Sequence, residues 1–256
     1  MACTLSLITP TVDREWLLPL TYEGLCHQTY DSWEWWVCDT SWRPSPFLSK
    51  LQDPRVHYVF QKTPLSIGNK RNILLDRCQG DIIVHIDDDD YYAPDYLERM
   101  IKALEGHDFC ALGSWFAYDL KIQEGFYWKT QASASVHYVL APIMGKTLQP
   151  YIFSDLDQVQ HMAEEYGFTF CYTRAVAEKM RFPDLDFQED RVFLSQLKEQ
   201  GYALRMIHDE KGKVVKMVHD LNVSSIFPQY RIPEFMLYSY FPHLQRYLDA
   251  YRTLSS

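Results

Sequence analysis

The apolar positions of roughly the first hundred residues alternate between two periods. Short runs rich in β-branched and aromatic residues, at Thr4–Thr9, Trp33–Cys38, Val56–Phe60 and Ile82–Ile86, read as buried strands. Between them the spacing turns helical. Leu17, Leu20 and Leu25 share one face, with Pro19 confined to the first turn, where its missing N–H is harmless. Ser66 caps a second helix carrying Ile67, Leu74, Leu75 and Cys78, which Gly80 breaks. Pro94 precedes a third with Tyr96, Leu97, Met100, Ile101 and Leu104, closed by Gly106. Pro10-Thr11 ends the first strand, and the prolines between Ser41 and Pro46 mark a loop. Strand alternating with helix predicts an α/β fold with a mostly parallel sheet covered on both faces.

Past Asp108 the period changes. Phe109–Tyr118 and Phe126–Lys129 read as strands with no helix between them. Thr130 to Gln160 has no clear period and reads as a loop or lid. Gly167–Tyr172 is expected as a strand, Glu189–Gln200 as a helix, Ala203–Ile207 and Val214–Val218 as short strands, and Glu234–Leu254 as one closing helix. No repeat or linker interrupts the chain. One domain over 1–256 is therefore expected: an α/β half to about 106, a mixed α/β half over about 107–225, and a C-terminal helical tail over 226–256.

Composition changes this picture little. The 256 residues suffice for a large core. A net charge of −9 argues against a nucleic-acid partner. Six scattered cysteines without a C-x-x-C pair support neither zinc nor a redox motif. No leader pattern follows Met1, and no apolar run approaches the ~18 residues that span a bilayer. The expectation is a cytoplasmic protein with free thiols and no integral membrane segment, which leaves peripheral membrane contact open. The 18 Tyr and 7 Trp suit sugar rings and nucleobases, but they also fill cores.

The chemistry concentrates at Asp87-Asp88-Asp89-Asp90, delivered at the end of the Ile82–Ile86 run. Adjacent anions repel, so a fold that gathers four needs a compensating charge. Hard divalent cations such as Mg²⁺ or Mn²⁺ take oxygen ligands and bridge diphosphates. Strand ends in open α/β sheets are where ligands bind.

Four segments, QTYDSWEWWVCD, SIGNKRNILLDRCQGDIIVHIDDDD, YGFTFCYTRAVAEKMRFPDLDFQEDRVF and VKMVHDLNVSS, occur in this order. Together, over about Leu5 to Ser225, they resemble the family 2 glycosyltransferases of the GT-A fold. That fold joins a Rossmann-like nucleotide-binding half to a mixed acceptor half. The resemblance implies metal-dependent transfer of a sugar, with inversion, from a nucleotide-sugar donor to a carbohydrate or other hydroxyl acceptor. A UDP-sugar is the implied donor and Mn²⁺ or Mg²⁺ the implied cofactor.

It also implies roles. Asp39 accepts a hydrogen bond from the base, although Thr40 stands where the family often has a second aspartate. Thr9 and Thr11 line the same pocket. Arg71, rather than Lys70, meets the diphosphate. Asp87 and Asp89 match the acids of the D-x-D motif: Asp89 ligates the metal, and Asp87 meets the ribose or the metal. Asp88 supports the donor and Asp90 the cluster. His219, with His208 as rival, helps to hold the metal or the diphosphate. Asp190 is the general base, kept ionised by a helix N-terminus, with Glu189 beside it in a different role.

Two other classes are weaker. A sugar-phosphate nucleotidyltransferase would carry a Gly-rich basic loop where Thr9-Pro10-Thr11-Val12-Asp13 stands. A non-catalytic nucleotide- or carbohydrate-binding module has no use for the Glu189-Asp190 pair.

Overall fold

The computed structural model describes residues 3–130, 136–140, 150–152 and 166–254. The first half alternates as the pattern predicts: β1 (Leu5–Thr11), α1 (Leu18–Cys26), β2 (Trp33–Asp39), β3 (Val56–Phe60), α3 (Ile67–Leu75), β4 (Ile82–His85) and α4 (Tyr96–Leu104). A short α2 (Pro46–Lys50) adds to this just after the expected loop. Ser45 caps it by accepting the Leu48 N–H at 3.0 Å, and Pro46 opens its first turn.

β3, β2, β1 and β4 lie side by side and parallel. β10 (Cys171–Thr173) pairs antiparallel with both β4 and β6 (Phe109–Asp119), which carries the sheet into the second half. β11 (Leu204–His208) and β12 (Val214–Val218) then pair parallel to β6. β7 (Glu124–Lys129) and β13 (Tyr230–Ile232) close the far edge antiparallel, and the two-residue β5 (Tyr91–Tyr92) pairs with β12. The result is a curled, mostly parallel sheet.

Several boundaries differ from the sequence pattern. β1 continues through Pro10 to Thr11 because pairing with β4 stops at Ile8, so the missing Pro10 N–H faces no β4 partner. The strand expected over Gly167–Tyr172 is a tight 3₁₀ turn, Gly167–Thr169, followed by β10. α5 (Arg174–Lys179) then leads toward α6 (Glu189–Glu199). The single closing helix is two, α7 (Glu234–Tyr240) and α8 (Leu244–Leu254), separated at Phe241-Pro242, where proline cannot donate to the preceding turn. The segment expected as a lid over Thr130–Gln160 falls largely outside the described residues. Within it β8 (Val136–Tyr138) and β9 (Pro150–Ile152) pair antiparallel.

Leu5, Leu7, Trp35, Val37, Val84, Trp115 and Trp128 are fully buried in the main core. Each buried aliphatic side chain contributes about 2 kcal/mol of transfer free energy, before conformational entropy is subtracted. α4 turns Tyr96, Leu97, Met100 and Leu104 onto the sheet. The consequence for function is rigidity at one edge. The carboxyl ends of β1 and β4 are neighbours, so Thr11 and the four aspartates emerge together from a packed layer. No helix among the described residues is long and apolar enough to cross a membrane.

Candidate active site

The carboxyl ends of β1 and β4 border a cavity of about 150 Å³. Its other walls come from the Tyr166–Phe168 turn, the Asp186–Asp190 approach to α6, Lys216 of β12 and the Asn222–Ser224 segment.

Asp87, Asp89 and Asp90 each offer one carboxylate oxygen such that the three lie within 4.8 Å of one another. The fourth acid turns away. Asp88 accepts from the Thr11 hydroxyl and pairs with Arg14 Nη1 at 3.0 Å. The same Arg14 nitrogen lies 2.7 Å from Asp89 Oδ2, and Nη2 donates to the Leu221 carbonyl at 2.5 Å. Lys216 Nζ lies 3.3 Å from Asp90 Oδ2, while Asp90 Oδ1 accepts the Met217 N–H at 2.9 Å. Asp87 is positioned through its backbone: its N–H donates to the Tyr92 hydroxyl at 2.9 Å, which donates to the Phe168 carbonyl at 3.0 Å.

The charges do not balance. The two cations in direct contact with the run, Arg14 and Lys216, are outnumbered by its four carboxyls. Burial pushes the Asp88 carboxyl up to about 6 against the opposing pull of Arg14, and burial also raises Asp87 and Asp90. Asp89 is the exception: burial works against its charge, but Arg14 and His219 hold it below the usual carboxylate range. Three convergent hard oxygens in an acid-rich pocket fit one Mg²⁺ or Mn²⁺.

His219 does not join these oxygens. Its Nδ1 accepts the Leu221 N–H at 3.1 Å, so in the neutral ring the proton sits on Nε2, which donates to Asp89 Oδ2 at 3.0 Å. His219, expected to help hold the metal or the diphosphate, orients the Asp89 carboxylate in this arrangement. Asn222 Nδ2 reaches the same oxygen at 3.3 Å. The rival His208 lies on β11, outside the cavity lining.

Two expected donor contacts are also recessed. Asp39 is 1% exposed; it accepts from the Ser41 N–H at 2.8 Å and the Ser41 hydroxyl on Oδ1, and from Tyr58 at 2.6 Å on Oδ2. Thr9 donates to the Ile86 carbonyl at 2.7 Å and accepts the Trp35 indole N–H at 2.9 Å. It is a strand-to-strand bond of the core, and neither Thr9 nor Asp39 lines the cavity. Thr11 does line it. Its carbonyl accepts from Lys70 Nζ at 3.2 Å.

Across the cavity, Arg71 and Glu189 form a buried ion pair, so the cation expected on the diphosphate is engaged by the acid beside the expected base. Asp190 is held differently. Oδ2 accepts the Gly167 N–H at 2.7 Å and Oδ1 the Arg191 N–H at 2.8 Å. The helix N-terminus does not keep it acidic as expected: burial, then the charge of Glu189, pushes its carboxyl up to about 7. Gln188 precedes the pair in a left-handed conformation, φ 65°, a strained setting for a non-glycine residue.

Arg14, Lys216, Tyr166 and Phe187 line the cavity without having been singled out by the sequence reading. Lys216 did leave a signal, as the only charge within the apolar run Val214-Val215-Lys216-Met217-Val218. Arg14 left none, because its role depends on a loop reaching residues more than seventy positions away.

A curled, mostly parallel sheet with an acid-lined cavity at its strand ends is the GT-A glycosyltransferase arrangement. The chain belongs to glycosyl transferase family 2, whose model matches residues 6–179. WcaA of Escherichia coli (strain K12), provisionally assigned as a colanic acid biosynthesis glycosyl transferase, is 31% identical over 97 residues, 36% of this chain and 35% of that relative. An uncharacterised glycosyltransferase of Haemophilus influenzae is 25% identical over 215 residues, 82% of this chain and 78% of the relative.

Two solved structures share the fold. S. aureus TarS 1-349 in complex with UDP-GlcNAc superimposes with a TM-score of 0.59 at 15% identity. The mannosyltransferase PcManGT of Pyrobaculum calidifontis, in complex with GDP-Man and Mn²⁺, gives 0.58 at 17%. The similarity covers 84% of this chain in both cases, but 58% of the TarS chain and 57% of the mannosyltransferase chain.

Proposed function

We propose that this chain transfers a sugar from a nucleotide-sugar donor, a UDP-sugar in the first instance, to a hydroxyl acceptor with inversion at the anomeric carbon. The observation that carries the reading is that the Asp87–Asp89 cluster and Asp190 line one cavity at the ends of β1 and β4. The donor half is residues 1–106 and the acceptor half 107–225, followed by the helical tail.

Asp190 takes the proton from the acceptor hydroxyl as its oxygen bonds to the anomeric carbon. The carbon–oxygen bond to the donor breaks, and the nucleoside diphosphate leaves with the electron pair. Asp87, Asp89 and Asp90 would hold Mn²⁺ or Mg²⁺, which when bound neutralises charge on the leaving diphosphate. His219 and Asn222 fix the Asp89 carboxylate for that purpose. Arg14 exchanges its carboxylate partners for a phosphate oxygen, keeping a charge-assisted bond throughout. Thr11 and Asp88 set the floor of the donor pocket. Glu189 keeps Arg71 ionised and in place rather than sharing the proton transfer.

The UDP preference is supported by the UDP-GlcNAc bound to TarS. The mannosyltransferase neighbour binds GDP-Man, so the test covers both bases. Nucleotide release from UDP- and GDP-sugars is measured with Mn²⁺ and with chelator. Slow metal-dependent donor hydrolysis, lost in Asp190→Asn while donor binding persists, is the expected result. Donor turnover that survives chelation, or no donor binding at all, overturns the reading.

A further inference from the structure

The three convergent carboxylates, of which Asp87 and Asp89 line the cavity, already face a cation of the chain itself. Lys216 is the one charged residue of β12; its neighbours Val215 and Met217 are fully buried. Its side chain is 7% exposed, and Nζ sits 3.3 Å from Asp90 Oδ2 and 4.7 Å from the Phe168 ring centroid. A buried ammonium is unfavourable unless paired. Here burial opposes the charge, while Asp90, Asp89 and Asp87 together with the ring face favour it. Those are the same three acids whose oxygens lie within 4.8 Å of one another.

The arrangement has an electrostatic consequence. A divalent ion entering among these oxygens meets an ammonium already there, and the two repel at close range. A diphosphate changes the sign of the problem. It brings negative charge that both cations can share, so ion and diphosphate favour each other's binding.

We propose that Lys216 is, beside Arg14 on Asp89, a resident counter-cation of the Asp87–Asp89–Asp90 group: it offsets part of their charge before the donor arrives, weakens binding of the divalent ion alone, and makes ion and nucleoside diphosphate bind together. The proposal rests on the reading of this cavity as a metal-assisted donor site. Lys216 acts as a positioning residue, through the carboxylates.

Calorimetric titration with Mn²⁺, alone and in saturating UDP, tests it. Native protein should bind Mn²⁺ about tenfold or more tighter with UDP than without. Lys216→Met should bind Mn²⁺ alone about tenfold tighter than native, with the gain from UDP reduced to about threefold or less. Lys216→Arg, which keeps the charge, should behave as native, a rescue that a purely structural role would not produce. If Lys216→Met fails to fold by circular dichroism, Lys216→Gln carries the same comparison. Lys216→Met binding Mn²⁺ no tighter than native overturns the proposal; if Asp89→Asn still abolishes binding in that case, the donor-site reading survives. Mn²⁺ binding that Asp89→Asn leaves unchanged overturns both.

Discussion

Asp190 Oδ2 accepts the backbone N–H of Gly167 at 2.7 Å, which fastens the first turn of α6 to the tight turn before β10. A Cβ at Gly167 would stand 2.9 Å from Asp190 Cβ and 3.2 Å from its Oδ2. Only glycine lets the turn approach the carboxylate this closely. Gly167→Ala should therefore move Asp190 and lower turnover about a hundredfold, since small misplacements of a reacting group are costly. Donor affinity, read by calorimetry, should be unchanged; a parallel loss of affinity would mean the turn shapes the donor pocket instead.

Asp190 should also leave a pH signature. An ordinary carboxyl titrates near 4, whereas this one is pushed up to about 7, so the folded protein binds the extra proton between these values. Its contribution to stability is full below about pH 4 and is lost as pH rises through about 7. The base requires the ionised form, so turnover should rise through about pH 7 as stability from this group falls. Asp190→Asn should cut turnover about a hundredfold or more and remove this group's pH dependence, so that the native-minus-mutant difference in urea stability falls between about pH 4 and pH 7. A native rate limb unrelated to pH 7, with the stability difference constant, would exclude this role.

Breaking the Arg71–Glu189 pair is a stability experiment first. Both partners are almost fully buried, so Glu189→Gln leaves an uncompensated guanidinium. Loss of one partner of a buried ion pair costs about 3–5 kcal/mol. Urea denaturation should show a loss of that size, with residual turnover above that of Asp190→Asn. If Glu189→Gln is instead stable and inactive, the two acids exchange roles.

His219 and Asp89 are expected to differ in degree. Asp89→Ala should abolish Mn²⁺ binding, because it removes one of three convergent oxygens. His219→Ala leaves those oxygens in place but frees the Asp89 carboxylate from its donor, and should weaken Mn²⁺ by about 10–100-fold. Equal losses in the two variants would make His219 a direct ligand.

Asp39 offers a test of base recognition despite its burial. Its two oxygens already accept from Ser41 and Tyr58, and a carboxylate retains further acceptor capacity. Asp39→Ala should reduce nucleoside diphosphate affinity in calorimetry. An unchanged affinity would assign base recognition elsewhere.

The sequence by itself determined the elements and the place of the site. Periods of two and 3.6 reflect which faces are buried, so β2, β3, β4, α3 and α4 were legible from Trp33 to Leu104 to within a few residues. The aspartate run declared a charge problem at a strand end, because adjacent anions need compensation however the chain folds. Prolines were legible only as far as their neighbours are known. Pro10 could stay in a strand because β4 no longer pairs beside it, while Pro242 did break a helix.

Tertiary structure alone decided who compensates whom. Asp87, Asp88, Asp89 and Asp90 are equivalent as letters, but β4's exit sends three toward one another and the fourth to Thr11 and Arg14. His219 was legible as a candidate, but its proton was placed by the Leu221 N–H. Asp190 was legible as an acid at a helix start, but burial beside Glu189 reversed the expected direction of its shift. Charge compensation, tautomer and desolvation depend on distances of a few ångströms between residues such as Arg14, Asp89 and Lys216, far apart in sequence, and only the packed sheet sets those distances.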